Sequence, residues 1–207
     1  MVKLKYSALY TDNLGCEKAT VYFSNGEFQL KVRGCTFKSD NLNFDFYAKD
    51  SSKVRRLFYM KDDELIEYVV DIKIPLVLTY NNSECEEEFL LRIERHKNYY
   101  NNSLSFYSKG VFYEVEGYNL LDLLVNMEKE LPDEYNMECC FSCMLGAQYL
   151  ESKRENTFYC LKDIEEEWKP NLNKESYLDL VYKDSKKDFK KLQKVPITYV
   201  CDEYCLS

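Results

Sequence analysis

Between residues 3 and 115 apolar side chains recur with period two, the spacing that lines one face of successive β-strands. Leu4, Tyr6 and Ala8 open the series; Val21 and Phe23 follow, then Phe28, Leu30 and Val32 alternate with Glu27, Gln29, Lys31 and Arg33. Asn25-Gly26 separates the last two runs and suits a tight hairpin, because both residues tolerate positive φ. Leu42, Phe44 and Phe46 predict a further strand, and residues 51–60 a short helix with Val54, Leu57 and Phe58 on one face. Val70, Ile72, Ile74, Leu76, Leu78 and Tyr80 alternate over a long run, which Asn81-Asn82-Ser83 turns back into Phe89, Leu91 and Ile93. Pro75 removes one ladder donor, so its segment belongs at an edge or a bulge. Leu104 with Phe106, and Val111 with Tyr113 and Val115, bring the count to at least seven strands. One apolar face per strand predicts an antiparallel sandwich or a strongly curled sheet.

Near Gly117 the period changes. Asn119 is placed to cap a helix carrying Leu120, Leu123, Leu124, Met127 and Leu131 at helical spacing, and Pro132 stops it. A strand between residues 137 and 143, another between 157 and 161, helices after Cys160 and from Asn173, and a last strand over 195–200 complete the reading. The fold class expected is therefore α+β: an antiparallel β domain over residues 1–117 and a smaller α+β part over 118–207, packed against it and built around cysteines.

Composition narrows the function. At 207 residues with 45% hydrophobic and 31% charged side chains, the chain has enough apolar material for a real core. A net charge of -8 disfavours nucleic acid, whose phosphates call for surplus Lys and Arg, and favours a basic partner. No apolar run approaches the ~18 residues of a membrane helix, and residues 1–6 lack a signal-peptide core, so a cytoplasmic, non-membrane protein is expected. The 19 tyrosines exceed what a core can satisfy and imply half-wet surfaces suited to binding.

In a reducing compartment nine cysteines read as thiols or metal ligands. Cys140-x2-Cys143 has the spacing that lets two thiolates share one ion, and Cys160 and Cys201 complete a four-thiolate set for structural zinc. Separate buried thiols and redox chemistry are the alternatives, with Cys139 and Cys205 as competing ligands; Cys16, Cys35 and Cys85 read as isolated thiols. This arrangement of Cys140, Cys143, Cys160, Cys201 and Glu203 resembles an uncharacterised bacterial family of small cytosolic proteins. Its members have an N-terminal β half, and some are encoded near toxin, immunity or mobile-element genes. Residues 144–149 depart from the Tyr- and Gly-rich turn of that family. The resemblance implies shared architecture and no catalytic residue.

Other chemistry is sparse. His96 is the single histidine and reads as a surface residue beside Arg95 and Lys97. The acidic runs at 62–64, 84–88 and 165–167 read as solvated faces, the six glycines are too dispersed for a nucleotide loop, and the lysines between 183 and 194 read as a solvated stretch. The expectation is a non-catalytic binding protein of immunity or antitoxin type. It would take a basic protein, such as a toxin, on an acidic Tyr-rich surface, with Tyr99, Tyr100, Tyr107, Glu86, Glu87 and Glu88 as candidates and zinc holding the C-terminal part. The alternatives are a metal- or thiol-dependent enzyme using the CxxC cysteines and a structural subunit of a larger assembly.

Overall fold

The computed structural model describes residues 3–24, 27–41, 43–48, 54–81, 83–140, 142, 146–148, 158–160, 193–195 and 198. The expected helices after Cys160 and from Asn173, Cys143, Cys201 and the hairpin residues Asn25 and Gly26 lie outside these residues.

The main body is one antiparallel sheet. Four strands come first: β1 (Lys3–Asp12), β2 (Gly15–Ser24), β3 (Glu27–Val32) and β4 (Cys35–Ser39). Two short pairs of residues, β5 (Met60–Lys61) and β6 (Glu64–Leu65), form a small hairpin. The long strands β7 (Tyr68–Tyr80), β8 (Ser83–His96), β9 (Tyr99–Ser108) and β10 (Val111–Gly117) follow. The spatial order is β10-β9-β8-β7-β1-β2-β3-β4, so two meanders meet where β1 lies beside β7.

The period-two pattern is obeyed across the whole sheet. Phe23 faces Phe28, Leu30 faces Phe37, Val70 faces Ile93, Ile72 faces Leu91, and Leu91 faces Leu104. All are buried, and Ala8, Tyr10 and Tyr6 continue the same face through β1. A sheet with one apolar face buries it by curling. Here the segment between β4 and β7 fills the hollow. The Phe58 ring packs edge-on against Tyr10 and Phe37, and Phe44 and Phe46 lie between Phe28 and Tyr68. Among the described residues the result is an open curled sheet, without the second layer of a sandwich.

Of the strand expected through Leu42, Phe44 and Phe46, Leu42 lies outside the described residues, and Phe44 and Phe46 are not in a strand. Phe44 has φ 60°, a region that bulky residues rarely enter. The turn there aims Phe44 and Phe46 both inward, and Tyr68 fixes it by donating its buried hydroxyl to the Phe44 carbonyl at 3.2 Å. Strand pairing resumes only at Tyr47, which bridges Lys38 of β4 and Glu64 of β6 and so covers the β4 edge. Of the expected short helix, the described part is a single turn in which the Leu57 and Phe58 N–H groups meet the Val54 carbonyl. Val54 and Phe58 are buried, and Leu57 is exposed.

Helix α1 (Leu120–Glu130) agrees with the sequence reading: the Asn119 side chain accepts from the Asp122 N–H at 2.9 Å, and Leu120, Leu123, Leu124 and Met127 are buried. Gly117 just before it allows a close approach, since a Cβ there would stand 3.1 Å from both the Asp122 side chain and the Leu123 nitrogen. The helix shares the core of the sheet. So does β11 (Tyr135–Glu138), which pairs antiparallel with the end of β7. Residues 120–140 are thus integral to the β half. A separate three-stranded sheet joins β12 (Gly146–Gln148), β13 (Phe158–Cys160) and β14 (Gln193–Val195) in that order.

Pro75 marks a fork. On the side away from β8, β7 pairs with β1 through Val69–Ile72 and with β11 through Val77–Tyr80. Residues 73–76 have no strand partner on that side among the described residues. The two-residue turn between Tyr80 and Ser83 makes that pair mutually hydrogen bonded, so even-numbered β7 residues bond to β8 and odd-numbered ones point away. The missing Pro75 donor therefore faces the gap, as the edge argument requires.

Candidate functional site

On the outer face of the sheet the register sets Glu88 opposite Pro75 and Phe112 opposite Tyr107. Continuing the β8–β9 pairing from Leu90 opposite Ser105 brings Glu88 level with Tyr107. A transverse row Glu88–Tyr107–Phe112 results. Tyr107 is 64% and Phe112 60% exposed, and Val111 at the hairpin beside them is 48% exposed. Glu84 and Glu86 continue the negative charge along β8, both exposed. Lys73 meets Glu88 at 2.6 Å, but both side chains are more than half exposed, so this pair contributes at most about 1 kcal/mol and exchanges readily for another cation. Glu87 turns toward the opposite face and accepts from the Ser108 hydroxyl at 2.8 Å.

The six candidates on β8 and β9 do not form one patch. Tyr107 and Glu86–Glu88 lie at one end of the sheet, whereas Tyr99 and Tyr100 lie at the other, eight and seven residues along β9 from Tyr107, or roughly 25 Å. Tyr99 stacks with His96 at 6.2 Å between ring centres, and Tyr100 covers the Arg95 guanidinium at 5.4 Å.

That second end holds a cleft of about 630 Å3 lined by Asp12, Tyr59, Glu67, His96 and Lys97 among others. Glu67 accepts from the Lys97 N–H at 2.7 Å and approaches His96 Nδ1 at 3.4 Å. His96 is half-exposed, as the sequence suggested. Asp12 is committed elsewhere: Arg33 holds both its carboxylate oxygens, at 2.5 and 2.8 Å, and also bonds Glu17. Burial opposes the charge on Asp12, but Arg33 and the Leu14 N–H outweigh it and hold the carboxyl below its usual range.

Two features went unread in the sequence. Arg95 is buried, donating to the Glu94 carbonyl at 2.8 Å, Asn102 Oδ1 at 2.9 Å and the Asn43 carbonyl. Its Nε faces Asp45 at 3.5 Å, an ion pair too long for a hydrogen bond. The signal was its phase, since Leu91, Ile93 and Arg95 share one face of β8. Phe112 was the converse: an aromatic out of phase with Tyr113, and hence facing solvent.

Of the four expected zinc ligands, Cys140 is buried in the turn after β11, and Cys160 ends β13 opposite both Gly146 and Gln193. Cys143 and Cys201 lie outside the described residues. No cluster of three or more His, Cys, Asp or Glu suited to a metal occurs among the described residues. Tyr6 links this region to the sheet. Its hydroxyl shares a 3.3 Å hydrogen bond with Thr198, and Cys140 lies near enough to act on it electrostatically. Burial is the main cause that pushes Tyr6 up to about 12. Cys16 and Cys85 are exposed and Cys35 is half-buried, on separate strands.

With this geometry established, comparison with known protein families shows that residues 4–146 fit the model of DUF6304, a family of unknown function. That span exceeds half the chain and runs from β1 to β12, so the protein belongs to this family. No curated protein and no solved structure matches it. No helix among the described residues is long and apolar enough to cross a membrane.

Proposed function

We propose that this protein is a non-catalytic cytoplasmic binding protein of bacterial immunity or antitoxin type, which docks a basic protein on the outer face of its sheet. The observation that carries the reading is the exposed row Glu88–Tyr107–Phe112, bordered by Glu84 and Glu86. Exposed aromatics are the side chains that most often anchor interfaces, and rim carboxylates speed the encounter with a cationic surface. The net charge of -8 supports the same choice of partner. Tyr99 and Tyr100, at the far end of β9, would serve a separate contact.

The C-terminal region is read as held by zinc on Cys140, Cys143, Cys160 and Cys201. Thr198 bonds the Tyr6 hydroxyl beside which Cys140 lies, so the chain three residues before Cys201 runs close to the first thiolate of the set. A buried thiol on a turn after a short strand also suits a closed structural site.

The test is affinity isolation from the native host at low salt, comparing the wild-type chain with Glu86→Lys/Glu88→Lys and with Tyr107→Ala/Phe112→Ala. A stoichiometric basic protein, retained by the wild type and lost from both variants, supports the reading. Recovery of no basic partner, or equal recovery by the variants, overturns it.

A further inference from the structure

Strand β10 closes the sheet on one side, and among the described residues no strand pairs with its outer edge. The Lys109-Gly110 turn has φ of 48° and 84°, as in a two-residue hairpin, which makes Ser108 and Val111 a mutually bonded pair. Alternation from that pair commits Val111, Tyr113, Val115 and Gly117 to β9. The N–H and C=O groups of Phe112, Glu114 and Glu116 are left pointing outward. Asn126 of α1 takes the Glu116 carbonyl at 2.9 Å, so the helix caps one end of this edge. Phe112 and Glu114 remain.

Sheet edges in natural proteins are usually blunted by lysine, proline, a bulge or a covering segment. The β4 edge follows that rule, since Tyr47 bonds Lys38 in both directions, at 2.9 and 2.8 Å. The β10 edge has no lysine or proline, and its outer-face side chains are Phe112, Glu114 and Glu116. Glu114 and Glu116 are exposed, and Glu88 lies two strands away beyond Tyr107. A second copy of this chain paired antiparallel about Glu114 would oppose carboxylate to carboxylate, which disfavours self-association.

We propose that β10 receives an extended basic segment of the partner as an added strand, the outward Phe112 and Glu114 backbone groups supplying the ladder. Lysine or arginine on the added strand meets Glu114 and Glu116, and an apolar side chain meets Phe112. This inference rests on the docking reading above and specifies how the partner is held. Main-chain bonding supplies affinity, and the alternate side chains supply selection.

The probe is a capped peptide of alternating lysine and valine, titrated into the full chain while backbone amide shifts and hydrogen exchange of β10 are followed. Slowed exchange at Phe112 and Glu114 is expected. Glu114→Pro deletes an outward N–H without touching the β9 ladder, and it should weaken binding by roughly tenfold or more while the thermal transition stays in place. Glu114→Ala keeps the N–H and should lose less. If Glu114→Pro binds as well as Glu114→Ala, strand addition is overturned, even where Glu86→Lys/Glu88→Lys still releases the natural partner and the docking reading survives. A chain that sediments as a dimer through β10 and dissociates on Glu114→Pro also overturns it, because the occupant is then a second copy.

Discussion

Arg33 grips Asp12 with two parallel hydrogen bonds across the β1–β2 and β3–β4 turns, and it does so from a left-handed backbone position, φ 49°. The same guanidinium lies over the rings of Tyr10 and Phe58, at 5.3 and 5.1 Å, so one side chain ties two hairpins to the segment that fills the sheet. The Asp12 side chain is 2% exposed, whereas Glu17, the second carboxylate on Arg33, is 39% exposed.

Asp12→Ala should therefore cost about 2–4 kcal/mol, and Glu17→Ala under about 1 kcal/mol, in chemical denaturation at neutral pH. Because the Asp12 carboxyl titrates lower in the folded chain than in the unfolded one, its contribution is present above about pH 4 and is lost as pH falls further. The wild-type denaturation midpoint should drop below that pH, and Asp12→Ala should flatten this part of the profile. Parallel acid profiles would refute the assignment.

Arg95→Ala removes the donor that joins the Asn43 and Glu94 carbonyls to Asn102, and it should cost about 3–5 kcal/mol by the same measurement. Tyr100→Ala, which takes away only the exposed ring above the guanidinium, should cost about 1 kcal/mol or less. Reversal of that order would mean the buried guanidinium contributes little to the fold.

Much of the architecture was legible because it rests on local rules. Asn119 and Pro132 bracket α1, Asn81 turns β7 into β8 with φ 48°, and Pro75 sits where its missing donor is harmless. The segment around Phe44 was illegible for the opposite reason. Its alternation mimics a strand, but a left-handed turn held by the distant Tyr68 hydroxyl decides its path, and no sequence window contains both partners. The docking candidates were half legible: charge and tyrosine content pointed to a surface, while the extent of β9, one unbroken strand from Tyr99 to Ser108, puts Tyr99 and Tyr107 at its opposite ends.

Alkaline pH should unfold the protein through its tyrosines. Tyr6 is raised to about 12, chiefly by burial, and burial raises Tyr10 and Tyr68 further. Folding therefore favours the neutral phenols, a contribution complete below about pH 10 and lost as pH climbs toward the folded values. Tyrosinate absorbance and loss of ellipticity should rise together above about pH 10. Tyr6→Phe keeps the ring but gives up the Thr198 hydrogen bond, at a cost of about 1 kcal/mol.

Purified protein should carry one zinc per chain, and a strong chelator should lower its thermal midpoint. Cys140→Ser and Cys143→Ser should each lose the metal, whereas Cys85→Ser, on an exposed strand, should retain it. Elemental analysis of the wild type showing no metal would refute the four-thiolate site.

Pro75 has a consequence for how the chain finds its shape. Extended past Ala8 opposite Ile72, the β1–β7 register would bring Lys5 opposite Pro75 and Lys3 opposite Val77, the very residue that Glu138 pairs with. The N-terminal strand and the β11 segment thus compete for one berth. An imino acid cannot complete the rung that this zipper would need at Lys5, and from Val77 onward the berth belongs to β11.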